Sequence, residues 1–147
     1  SLDVVTGVLE SDWREDLDVP ELVLQTLDFR DFARGAALYR RCKLAIGDNQ
    51  YGDKGFVSNR LFEALGNGAC LLHQHVPGLE ALTGLKAGVH YYEWRNHRDL
   101  EKLIHRLMKD EDARTSVAAA GEAFVRAHHT FDHRVEELFT LLRGMSE

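Results

Sequence analysis

Proline and cysteine are scarce in this 147-residue chain, two of each, and acids outnumber bases, 24 Asp and Glu to 18 Lys and Arg. Cys42 and Cys70 sit in apolar stretches and form no C-x-x-C pair, which argues against a disulfide framework and predicts reduced thiols in the core. A formal charge of −6 with no basic run argues against a broad nucleic-acid surface, because binding a phosphate backbone needs a basic face. Long apolar runs are missing too: none approaches the roughly 20 residues that cross a bilayer, and the N-terminus has no basic stretch followed by an apolar one. These absences predict a soluble, cytoplasmic protein with no transmembrane segment and no nucleic-acid partner. There is also no G-x-S-x-G elbow, no Walker loop and no complete G-x-G-x-x-G, which removes the usual cradles of hydrolase, ATPase and dinucleotide redox chemistry.

What is present reads as one α/β domain over residues 1–147, since 44% hydrophobic residues build a single ordinary core. Short apolar runs at Leu2 to Val8, Leu22 to Thr26, Lys43 to Ile46, Ala69 to His73 and Val89 to Tyr92 predict strands, the first four largely buried. Between and after them, Phe32, Ala36 and Tyr39, then Leu100, Leu103, Ile104 and Leu107, then Val117, Ala120, Phe124 and Ala127 follow helical spacing. A closing helix carries Val135, Leu138, Phe139 and Leu142 on one face, with Thr130 or Asp132 as its cap. Strands alternating with helices predict a parallel sheet covered on both faces. The acidic stretch from Leu9 to Pro20 reads as a surface connection, and Gly47 to Gly55 as a loop beyond the strand ends.

The most informative segment runs from Gly55 to Leu72. A glycine loop leads into an amphipathic helix whose Val57, Leu61 and Leu65, with Phe62 beside them, face inward, while Asn59 and Glu63 share the other side. Gly66 and Gly68 end the helix and turn the chain back into a strand. The helix start offers unpaired N–H groups and a positive dipole end flanked by Ser58, Asn59 and Arg60, which suits a phosphate. Glu63 would repel that phosphate, but a carboxylate one turn further on can accept hydrogen bonds from sugar hydroxyls. Five residues of helix span roughly 7.5 Å, about the reach from a diphosphate to a ribose edge. From the helix alone, a solvated Glu63 paired with Arg60 is the commoner arrangement.

The run R-L-F-E-A-L-G-N-G-A-C-L-L with P-G-L-E-A-L after it resembles the donor-binding core of glycosyltransferases of the GT-B fold, particularly the CgeB-like branch of group 1. The stretch from Leu38 to Ile46 resembles the element before the donor loop, and Gly121 to Leu138, with His129-Thr130-Phe131-Asp132-His133-Arg134, resembles the family's "G…V…H-T-x-x-x-R" tail. The resemblance implies a Rossmann-like donor domain, the C-terminal half of a GT-B enzyme lacking its first strand-helix unit and its N-terminal acceptor half. It implies that Glu63 binds the ribose of a nucleotide diphosphate sugar such as a UDP or GDP sugar, that Ser58, Asn59 and Arg60 lie at the diphosphate, and that no metal or other cofactor is needed. The wider family carries a second glutamate eight residues before Glu63, in contact with the donor sugar. Gly55 stands there instead, leaving Asp53, Gly55 and Phe56 to approach the sugar. Catalytic residues are expected in the missing half, so this domain alone should not turn over substrate.

Two alternatives stand beside that expectation: a degenerate GT-B-like binding module, kept open by Gly55, and a phospho-acceptor receiver with Asp48 after a strand. The receiver lacks an acidic pair after the first strand and a lysine at the last. His73 with His75, and His129 with His133, invite a metal, but neither pair has further ligands at zinc spacing, and capping or surface roles suit the second pair better. Tyr91, Tyr92 and Trp94 read as a strand edge packed on the following helix, or as a platform for a sugar or base.

Overall fold

The computed structural model describes residues 4–6, 24–26, 31–48 and 55–145. Five parallel strands, β1 (Val4–Thr6), β2 (Leu24–Thr26), β3 (Leu44–Gly47), β4 (Leu71–Gln74) and β5 (Tyr92–Trp94), form one sheet in the order β2-β1-β3-β4-β5. Around it lie α1 (Phe32–Arg41), α2 (Asn59–Gly66), α3 (Leu79–Thr83), α4 (His97–Lys109), α5 (Glu111–His128) and α6 (Phe131–Gly144). The acidic stretch 9–20 and residues 49–54 of the glycine loop fall outside the described residues.

In β3 and β4, Leu44, Ala45, Ile46, Leu71 and Leu72 are all buried because both faces of the sheet are covered there, and alternation sorts these side chains into two cores. Leu44, Ile46, Cys70, Leu72 and Trp94 join Leu100, Ile104 and Leu107 of α4. Those three α4 residues are 0% exposed, each worth roughly 2 kcal/mol relative to exposure. Ala45, Leu71 and Tyr91 point the other way, into a core with Leu38 and Tyr39 of α1, Leu61, Ala64 and Leu65 of α2, Leu79 of α3 and Val125 of α5. The expected inward stripe of α2 is realised, with Leu61 and Leu65 buried and Val57 and Phe62 packed against the same core.

Three expectations need correction. The last strand lies at Tyr92–Trp94 and not at Val89 to Tyr92: Gly88 N–H bonds back to the Tyr91 carbonyl at 2.7 Å, so the chain is still turning there and Val89 is 49% exposed. It is the sheet edge, and Tyr92 and Trp94 pack on α4 with the Arg106 guanidinium 5.1 Å from the Tyr92 ring centre. On α5 the buried stripe is Arg114, Val117, Gly121 and Val125, one position away from the Ala120, Phe124 and Ala127 expected with Val117. Gly121 decides that rotation, since α2 and the chain before β5 approach its bare Cα too closely for a side chain. Gly66 belongs to α2 itself, and only Gly68, at φ +77°, makes the left-handed turn toward β4.

The thiols meet the core expectation. Burial pushes Cys70 up to about 11 and Cys42 up to about 12, from an ordinary 9.0.

Candidate functional site

A sheet ordered 2-1-3-4-5 reverses its winding between β1 and β3, and open α/β sheets bind ligands in the crevice beyond the carboxyl ends of the strands at that point. β3 ends there with Gly47, Asp48 follows, and the chain returns at Gly55 to enter α2. Ser58 is the N-cap of α2, its Oγ accepting the Arg60 N–H at 3.3 Å. The Arg60 guanidinium lies 4.0 Å from the Asp48 carboxylate, so the two elements at the crevice are linked by charge. Gly55 adopts φ +70°, and the Phe56 ring is 54% exposed. Asp53 lies outside the described residues.

Asn59 and Glu63, one helical turn apart, line one wall of a cavity of about 580 Å³. Glu63 is solvent-exposed, but a crevice lies beside it. Its carboxylate also faces α1: burial first, then Glu63, raises the Tyr39 hydroxyl well above its ordinary value, and Arg60 opposes them. Val57 and Phe62 continue the α2 wall, while Leu82 and Thr83 of α3 and the junction between α5 and α6, His129, Thr130, Phe131 and Arg134, form the rest.

The junction is tightly built. Thr130 caps α6, its Oγ accepting the His133 N–H at 3.4 Å, and the Thr130 N–H donates back to His133 Nδ1 at 3.2 Å. His129 Nε2 meets the Thr83 carbonyl at 2.7 Å, its Nδ1 meets Arg134 Nη2 at 2.7 Å, and that same Nη2 donates to the His128 carbonyl at 3.0 Å. Phe62 and Phe124 lean on the His129 ring at centroid distances of 4.9 and 5.8 Å. His133 thus takes the capping role that its place at a helix start suggested, while His129 joins α3, α5 and α6.

A second cavity, about 540 Å³, opens on the other end of α3 between His75, Glu80, Tyr91 and Glu93. His75 Nδ1 lies 3.0 Å from Glu93 Oε2 without hydrogen-bond geometry. Arg95 holds the other Glu93 oxygen at 3.0 Å. His73 is buried, its Nδ1 2.6 Å from the Gln74 carbonyl, and burial holds it below the ordinary imidazole range. The two histidines of β4 and its exit therefore take different partners, and among the described residues no three His, Cys, Asp or Glu side chains converge as a metal site.

A family model described as glycosyl transferase-like matches residues 3–140. The chain belongs to that family. A search among curated proteins gives no match. Membership and the Rossmann-like parallel sheet agree on a domain of the kind that makes up half of a GT-B glycosyltransferase, and they associate the fold with glycosyl transfer in general. No helix among the described residues is long and apolar enough to cross a membrane.

Residue reasoning put Asn59 and Glu63 on one side of α2, where they line the cavity, but gave no account of the opposite wall. Five-residue α3 leaves no periodic signal. His129 was expected in a capping or surface role and Arg134 stood in the family-like tail without an assigned task, and only their distances show that they close the cavity.

Proposed function

We propose that this domain binds the nucleotide diphosphate sugar of a glycosyltransferase of the CgeB-like branch, and that its partner is an acceptor-binding half. Ser58, Asn59 and Arg60 receive the diphosphate, Glu63 accepts hydrogen bonds from the ribose hydroxyls, and Asp53, Gly55 and Phe56 approach the sugar. One observation carries the reading: Glu63 stands one turn beyond Asn59 on the wall of a cavity, on the helix that starts at the sheet's switch point. As the glycosidic bond breaks, negative charge grows on the leaving diphosphate. The N–H groups at the start of α2 and the Arg60 guanidinium meet it with charge already in place, without a metal. The Asp48 contact holds Arg60 at the crevice before ligand arrives.

The acceptor half packs on α6, where Phe131, Val135, Leu138, Phe139, Leu141, Leu142 and Met145 are 49% to 86% exposed. A helix this apolar on its outer face needs a protein surface against it. The enzyme works in the cytoplasm, where nucleotide sugars are made.

Titration calorimetry with UDP, GDP, ADP and the matching monophosphates tests the site. Saturable binding of one diphosphate is expected, and Glu63→Ala should weaken it by about 10- to 100-fold, the worth of hydrogen bonds to a charged acceptor. No binding at millimolar diphosphate would overturn this reading in favour of a degenerate module, to which Gly55 in place of a glutamate also points.

A further inference from the structure

We infer that His129 is a pin that holds only as the neutral imidazole, fixing the wall of the cavity opposite Glu63 and the bearing of α6, and that acidification withdraws it. A carbonyl can only accept and a guanidinium can only donate. The contacts at 2.7 Å to the Thr83 carbonyl and at 2.7 Å to Arg134 Nη2 therefore fix one tautomer, with the proton on Nε2 and a bare Nδ1. No other bond set on the ring satisfies both neighbours.

Three segments meet at this ring. Thr83 ends α3, His129 ends α5, and Arg134 stands in the first turn of α6, whose side chains are nowhere buried. The bearing of α6 thus rests on its first turn. Arg134 also donates from Nη1 to Glu137, which orients the guanidinium toward His129. Protonating Nδ1 would turn an N–H and a second positive charge onto Arg134. The groups facing the ring do not compensate for this. α5 contributes the His128 imidazole and the Phe124 ring, α3 a carbonyl already bonded, and α2 the Phe62 ring with Glu63 across the cavity; on α6, Glu137 is already engaged by Arg134.

Burial first, then the Arg134 and His128 charges, holds the ring below the ordinary imidazole value of 6.5, against the Thr83 bond and Glu137, which pull upward. A lowered imidazole contributes stability that is complete above the unfolded value and is lost as pH falls from there through the folded one. The window therefore lies below about pH 6.5.

Hydrogen exchange on the intact chain at pH 7.5 and 5.5, corrected for intrinsic rates, tests the pin without any nucleotide, so its outcome is independent of the proposed donor site. Amides of residues 131–145 should lose protection by about tenfold at the lower pH, while α4 does not change. His129→Gln offers an amide N–H and an oxygen in place of the two ring nitrogens and should keep α6 protected at both pH values. Arg134→Met should leave it unprotected at both. His133→Asn controls for the cap, whose Nδ1 also accepts a hydrogen bond, and should keep the pH response. Equal protection at the two pH values in the parent chain, or a response that survives His129→Gln, would overturn the inference.

Discussion

Gly121→Ala should destabilise this protein although it places the best helix former in the interior of an 18-residue helix. A Cβ at 121 would sit 2.5 Å from the His90 carbonyl oxygen and 2.9 Å from Leu65 Cδ2, both inside the distance at which a neighbour must move. Leu65 is 0% exposed, and the carbonyl belongs to backbone held by the His90 N–H bond to Lys86 at 2.9 Å, so neither yields cheaply. Overpacking of this kind costs about 1–3 kcal/mol, here the upper part of that range, about 2–3, because two neighbours must move, and the gain in helix propensity returns about 1. A net loss of about 1–2 kcal/mol remains, which for a domain of this size lowers the melting temperature by roughly 3–6 °C. Because Leu65 lies on α2, affinity for the proposed diphosphate ligand should fall with stability. Calorimetric melting of the variant beside Gly144→Ala, where a Cβ would meet nothing, checks the argument. A Gly121→Ala protein that melts at or above the parent temperature would show that α5 does not need that close approach.

Other expectations follow from buried groups. Arg114, 9% exposed, donates from Nη1 to the Leu107 carbonyl at the end of α4, so Arg114→Met should cost about 1–3 kcal/mol in urea unfolding; an unchanged midpoint would mean that water serves that carbonyl equally well. Buried Cys70 should react with a thiol probe at pH 8 only as fast as the protein unfolds, and partly buried Cys42 slowly, because burial keeps both protonated. Their raised values also give a sign in alkali. Above the ordinary 9.0 the unfolded thiols release protons that the folded ones keep, so stability should fall as pH rises from 9.0 toward about 11 for Cys70 and about 12 for Cys42.

The sequence by itself determined the parallel α/β class, the inward stripe of α2 and the shared side of Asn59 and Glu63, and narrowed the α6 cap to Thr130 or Asp132. All of these are local: periodicity, capping and turn chemistry act within a few residues, and a carboxylate one turn past a helix start points the same way in any fold. Tertiary structure decided the rest. The rotation of α5 is set by how closely α2 and the His90 carbonyl approach Gly121, which no spacing along α5 encodes. The cavity beside Glu63 exists because the Thr83 carbonyl and the Arg134 guanidinium, 51 positions apart in the chain numbering, meet on the two nitrogens of one imidazole. Contacts between residues that far apart are invisible to pattern reading, because they depend on how whole elements dock and not on the order of residues within any of them.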